Sequence, residues 1–348
     1  MNFETGLRVI APSSSVRDEA AARLAALATP AGALGRLGEL AVWVSATQGV
    51  CPPRPIEHVR AVIFACDHGV SDHGVSAYPK QVTPAMVRTF LSGRAGVSAL
   101  ARQHGVALRV LDIGVDDDLA GVDPAVQEFK IRRSSGAIHR EDALTSEETR
   151  RALEAGAAVA AQEIAASAQL LLSGDMGIGN TTPAAALIAA SLGLSATEVT
   201  GRGTGVDDAA LLHKQQLIQR ALDRVGDRAD DPLDTLTALG SADLAAAVGF
   251  MVTAARARIP VLLDGVISVA CALIADRIAP GATAWFAAGH RSPEPAHSLA
   301  LDKLGLSPIL DLGMRLGEGS GAVAAVPLVR SASLLLSEVA LLADLDLG

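Results

Sequence analysis

Five short apolar runs recur along this chain, and nearly every one ends at Asp or Gly and is followed by a loop and an amphipathic stretch. They are VRAVIFAC (59–66), ALRVLDIG (107–114), AQLLLSG (168–174), IPVLLDG (259–265) and ATAWFAAG (282–289). Continuous apolar runs of strand length, each separated from the next by a helix-sized segment, are the pattern of βα units whose strands are buried on both faces of a parallel sheet. The expected fold class is therefore α/β: a Rossmann-like, mainly parallel sheet with helices on both faces. In such sheets ligands bind outside the carboxyl ends of the strands. The loops beginning at Asp67, Asp112, Gly174, Asp264 and Gly289 are expected to converge on one crevice.

The ends of the chain read differently. Residues 15–49 carry apolar positions three and four apart, broken at Thr29-Pro30-Ala31-Gly32, and CPPRPIEH (51–58) is a proline-rich connector. The last segment, AVAAVPLVRSASLLLSEVALLADL, is again helical in pattern. These pieces suggest a small helical domain from residues 1–50 and 322–348, and an α/β catalytic domain over 51–321. A chain of 348 residues with 50% hydrophobic and only 3% aromatic residues suits close packing of Ala- and Gly-rich helices on a sheet.

Bulk properties exclude several classes. A net charge of -9 opposes binding to a phosphate backbone, so no nucleic-acid partner is expected. The start lacks a basic region followed by an apolar one, and apolar runs are interrupted before about 18 residues, so a cytoplasmic, non-membrane protein is expected. Cys51, Cys66 and Cys271 form no CxxC pair, which leaves neither a disulfide framework nor a zinc site.

Four loops carry candidate chemistry. In LLLSGDMGIGNTTPAAALIAA (170–190) a strand runs through Gly174, Asp175, Met176, Gly177 and Gly179 into Asn180, Thr181, Thr182 and Pro183 before an Ala-rich helix. Glycines admit close backbone approach, and the amides and dipole of a helix start favour phosphate; no Lys follows, so this is not a Walker loop. TGRGTGVDD (200–208) adds Gly203, Thr204 and Gly205. DHGVSDHGVSAYPKQ (67–81) pairs Asp67 with His68 and Asp72 with His73, without a third ligand at a metal-binding spacing, so no metal is expected. Its tail holds Ser76, Tyr78, the chain's only Tyr, and Gln81, suited to flanking a flat ring and bonding its nitrogen. In LDLGMRLGEGSGAVAAV (310–326), Glu318 stands between Gly317 and Gly319, where a carboxylate can meet a ligand closely.

TPAGALGRLGELA, DHGVSDHGVSAYP, GDMGIGNTTPAAA, GRGTGVDD, RIPVLLDGVISVACAL, AGHRSPEPAH and LDLGMRLGEGSGA stand in the order and spacing of one family. Together they resemble the nicotinate-nucleotide:dimethylbenzimidazole phosphoribosyltransferases over almost the whole chain. The resemblance implies a homodimer that needs no metal or cofactor. Its substrates would be nicotinate mononucleotide and 5,6-dimethylbenzimidazole, and Glu318 its catalytic base. It implies phosphate and nucleotide contacts from Asp175, Gly177, Gly179, Asn180, Thr181, Thr182, Gly203 and Gly205, with Asp264, Gly265 and Ser292 in support. Ser76, Tyr78, Gln81, Met176 and Leu316 would flank the base. His290 and Arg291 would either touch the nicotinate carboxylate or support their loop. Asp175 stands where the family pattern has Glu, and Thr29 where it has Lys. The shorter reach at 175 weakens any proton-transfer role there.

Two other classes give different expectations. A dinucleotide-dependent oxidoreductase would carry GxGxxG after the first strand, where this chain has CDHGVSDHG. A nucleotide-binding module that had lost its chemistry would have no use for a carboxylate set between glycines at 318.

Overall fold

The structure, a computed structural model, describes residue 3 and residues 7–346. Six parallel strands form one sheet in the order β2-β1-β3-β4-β5-β6: β1 (Val59–Cys66), β2 (Val106–Gly114), β3 (Leu170–Met176), β4 (Val261–Leu263), β5 (Phe286–His290) and β6 (Pro308–Leu310). Side chains alternate across each strand. Val62, Phe64 and Cys66 of β1 therefore enter one core, and Val59, Ala61, Ile63 and Ala65 the other.

Helices cover both faces, as the buried strand runs require. In chain order they are α1 (Ser14–Ala26), α2 (Gly35–Gln48), α3 (Val82–Leu91), α4 (Gly96–Gln103), α5 (Ser146–Ala165), α6 (Thr181–Leu192) and α7 (Ala196–Val199). There follow α8 (Asp208–Val225), α9 (Pro232–Leu239), α10 (Ala242–Arg256), α11 (Val266–Ile278), α12 (Pro295–Leu304) and α13 (Ser320–Glu338). Local signals set several starts. Thr145 and Glu148 form a capping box on α5, and Asp231 caps α9 with Pro232 in its first turn.

On one face α5 and α10 touch backbone to backbone: a Cβ on Gly156 would fall 1.7 Å from the Ala246 carbonyl oxygen, and one on Gly249 2.0 Å from that of Leu153. On the other face, Ala322, Val323, Ala325, Val326 and Val329 of α13 meet the sheet, while Ala332 and Leu336 join Ala20, Leu27, Leu40 and Ala41 of the N-terminal segment. One continuous helix thus serves both the sheet and the terminal cluster. It is also the one helix among the described residues long and apolar enough to cross a membrane, and more than half of that stretch is buried within the fold.

Several strand boundaries shift by one to four residues from the sequence reading, and two differences have a visible cause. Residues 282–285 form a 3-10 turn instead of strand, because Asp276 Oδ1 accepts the amides of Gly281 and Thr283 and bends the chain before β5. β6 is unforeseen: three half-buried residues beginning at a proline, which an edge strand tolerates because it need not donate there.

Candidate active site

The strand order reverses direction between β1 and β3, and an α/β crevice opens at such a switch point. There a cavity of about 380 Å³ is lined by the loops after β1, β3, β4, β5 and β6 and by Gly203 and Thr204. Four of the five expected loops converge on it. The loop from Asp112 does not, because β2 lies at the sheet's outer edge. Its Asp112 carboxylate instead takes the Val115 amide at 2.7 Å and Lys130 Nζ at 2.8 Å.

The loop from β3 to α6 forms one wall. Gly177 packs so tightly that a Cβ would fall 2.2 Å from the Cys66 carbonyl oxygen and 2.5 Å from His68 Nε2, and Gly179 adopts φ +89 beside Ser71. Thr83 Oγ1 accepts the Ile178 amide at 3.1 Å, and Asn180 Nδ2 donates to Asp175 Oδ1. Among the described residues no side chain caps α6, so the positive end of its dipole faces the cavity. Behind Gly203 lies the fully buried Lys214, whose Nζ donates to Thr181 Oγ1 at 2.7 Å and to the Gly201 carbonyl at 3.2 Å. Burial lowers its pKa to about 8 against the opposing pull of Glu294. Glu294 Oε1 accepts the Gly203 amide at 2.8 Å and fixes that loop.

Glu318 forms the opposite wall. Only 7% exposed, it adopts φ +66, a left-handed backbone that non-glycine residues rarely take. Gly317 and Gly319, at φ +75 and +88, carry the chain into and out of that conformation. Its Oε2 accepts the Val97 amide at the start of α4, 3.2 Å away. Burial raises its pKa and nearby Asp264 adds to the rise, while the Val97 amide opposes it. Two glycines make room: a Cβ on Gly174 would lie 2.5 Å from the Glu318 carbonyl oxygen, and one on Gly96 2.7 Å from Leu316. Asp264 secures the loop by accepting the Gly319 amide at 3.1 Å and the Ala322 amide at 3.0 Å, which caps α13.

Between the walls lie Met176 and Leu316, with Val75, Val82 and Met86, an apolar slot of the kind that takes a flat ring. Ser76 and Tyr78 stand at its edge, where Thr204 Oγ1 accepts the Ala77 amide at 2.9 Å and ties the two loops.

Of the residues expected from sequence, Glu318, Asp175, Gly177, Gly179, Asn180, Thr181, Gly203, Asp264, Gly265, Ser292, Ser76, Tyr78, Met176 and Leu316 line this cavity. Three do not. Thr182 is one position further round α6 and turns into the core, Gln81 is exposed at the start of α3, and Gly205 is exposed next to Arg315. His290 lines the cavity, whereas Arg291 turns outward to Ser298 and Asp311. The two Asp-His pairs part company: His68 faces Asp243, and His73 packs edge-on against His139. Sequence reasoning missed Glu294, Arg315 and Ser268 in the lining, with Lys214 behind it. Glu294 lay inside AGHRSPEPAH and was within reach; a lysine in mid-helix gave no signal.

Known proteins share this sequence and this fold. A family model described as a phosphoribosyltransferase matches residues 9–345. A nicotinate-nucleotide–dimethylbenzimidazole phosphoribosyltransferase from Mycolicibacterium paratuberculosis is 50% identical over 344 residues, covering 99% of this chain and 97% of that protein. Its counterpart in Mycobacterium tuberculosis is 49% identical, covering 95% and 91%. A Thermus thermophilus enzyme of the same description superposes with TM-score 0.90 at 40% identity, covering 95% of this chain and 98% of its own. The CobT structure from that organism gives TM-score 0.92 at 42% identity, covering 96% and 100%. This chain belongs to the nicotinate-nucleotide–dimethylbenzimidazole phosphoribosyltransferase family.

Proposed function

We propose that the protein moves the ribose phosphate of nicotinate mononucleotide onto 5,6-dimethylbenzimidazole, giving nicotinate and α-ribazole 5′-phosphate for the nucleotide loop of cobalamin. The observation that carries this reading is the pairing, across one cavity, of a buried carboxyl at Glu318 with an uncapped helix start at α6. The names of the relatives supply the substrates.

The chemistry assigns the parts. Nicotinate leaves as a pyridine from a pyridinium, so no acid is needed to expel it. The incoming benzimidazole attacks C1′ through one ring nitrogen and must lose the proton on the other, or its product would be cationic. Glu318, within about 2.6–3.2 Å of that N–H, takes the proton as the new bond forms. Attack from the face opposite nicotinate inverts C1′ and turns a β-linked nucleotide into an α-linked one. The amides of Gly177, Gly179 and Thr181, with the Lys214 ammonium and the close approach that Gly203 allows, hold the phosphate beside Asn180 while the two bases exchange. Fixing the sugar in this way removes part of the entropic barrier. Met176 and Leu316 sandwich the incoming ring, and the protein would work as a homodimer.

Incubation of the purified protein with both substrates is expected to release nicotinate and form the α-linked nucleotide in equal amounts, read by chromatography and by the anomeric proton in NMR. Folded protein that releases no nicotinate, or that yields the β anomer, would overturn the reading.

A further inference from the structure

Beneath the cavity, outside its lining, lies a second acidic side chain whose surroundings are unusual. Asp243, in the first turn of α10, is 1% exposed, its Oδ2 is buried without a hydrogen-bond donor, and it lies next to the Asp175 carboxyl at the end of β3. A buried carboxylate oxygen without a donor, set beside a second carboxyl, calls for a proton between the two. The remaining partners leave no substitute. Asp243 Oδ1 accepts the Ser241 hydroxyl, Asp175 Oδ1 accepts Asn180 Nδ2, and Asp243 Oδ2 has no hydrogen-bond donor. His68 Nε2 stands 3.6 Å from Asp243 Oδ2, just under Gly177.

We infer that Asp243 is a positioning residue for the transfer reaction: with His68 behind it, it keeps one proton on the Asp175–Asp243 pair, so that Asp175 meets the cavity as a neutral group. The inference rests on the phosphoribosyl-transfer reading of the same cavity. Charge gives the reason. Four carboxyls line the cavity, Asp175, Asp264, Glu294 and Glu318, against the single lining cation Arg315 and the ammonium of Lys214 behind Gly203. A nucleotide carrying both a phosphate and a carboxylate could not settle among four negative charges. Asp175 is the one carboxyl with a built-in proton partner, and it is tied through Asn180 to the start of α6, where the phosphate is held.

The ionisable groups facing the pair act in the same sense. Asp264 adds negative charge near Asp175, and the buried thiols of Cys66 and Cys271 stay protonated beside it. Burial, reinforced by Asp243, drives the Asp175 carboxyl well above the usual range. Burial presses Asp243 upward too, but His68, Asp175 and Ser241 outweigh it and keep Asp243 the ionised partner.

The test has two arms. In isotope-edited infrared spectra of the full-length protein with labelled aspartate, a protonated-carboxyl band is expected at neutral pH, absent in Asp175→Asn and titrating at lower pH in Asp243→Asn. Lack of any such band in the wild type refutes the inference without reference to activity, and so separates its failure from failure of the enzymatic assignment. In the second arm, Asp243→Asn is expected to add an alkaline limb to kcat/KM for the nucleotide, roughly one pH unit or more below the limb from Lys214. Activity there falls about tenfold per unit of pH. The double variant Asp175→Asn/Asp243→Asn has nothing left to ionise, so the added limb disappears whatever the absolute rate. A purely structural role predicts instead an equal loss at every pH, and an added limb that survives in the double variant also overturns the inference.

Discussion

Two helix starts face each other across this cavity, and they have opposite fates. α6 and α13 both follow glycine-rich loops, and neither has a side-chain cap from its own N-cap residue. At α13 the vacancy is filled from another strand, by Asp264 bonding the Gly319 and Ala322 amides. At α6 no carboxylate bonds the first amides, Asp175 reaching only the Asn180 side chain, and a buried lysine lies behind the first residue. Glycine content therefore does not decide which helix start receives an anion; what decides is whether a protein carboxylate is already there. On the proposed reading, the start of α6 is left to the substrate phosphate, while that of α13 holds the loop that carries Glu318.

This contrast can be broken from either side. The largest effect is expected at the α13 side, where Glu318→Gln should lower kcat by about 10²–10⁴, the usual scale for a lost general base, with little change in nucleotide affinity. Steady-state kinetics with calorimetric titration checks it, and an equal loss of binding would mean that both walls grip the nucleotide. Next, Asp264→Ala removes the borrowed cap. It should destabilise the fold by roughly 0.5–2 kcal/mol in denaturant titration and depress kcat more than KM, because the loop carrying Glu318 loses its anchor.

On the α6 side, Gly179→Ala forces a side chain into φ +89 and should raise KM for the nucleotide by about tenfold, from the 1–2 kcal/mol of a left-handed residue, with kcat less affected. The smallest effect is in pH dependence. Lys214 is charged below its pKa of about 8 and neutral above it, so nucleotide affinity should weaken as pH rises through 8. Lys214→Met should bind more weakly and lose that dependence; a persisting titration would assign it to another group. For Glu318 the sign is reversed: the base must be ionised, so kcat should fall as pH drops through a value above the ordinary glutamate range.

The sheet was legible because its main strands are largely apolar runs of strand length, and the loops because glycine, Asn and Thr cluster where backbone must come close to a ligand. What could not be read has a common cause in three-dimensional rotation and distance. Thr182 belongs to the same run of letters as Thr181, but one step along a helix turns it by about 100° and into the core. β6 is too short to show a period, yet the chain segment that follows it delivers Glu318. Asp243 lies 68 residues beyond Asp175 at the head of an Ala-rich helix, and nothing in the intervening sequence links the two carboxyls.

The bare contact between α5 and α10 bears on that link. Gly156 and Gly249 work as a spacer of zero thickness, and α10 carries Asp243 at its head. A methyl group added at either position would push the helix outward and change how far the buried acid reaches toward its neighbour. The depth at which α10 sits beneath the cavity is therefore set in part by two side chains that are missing, far from the residues that line it.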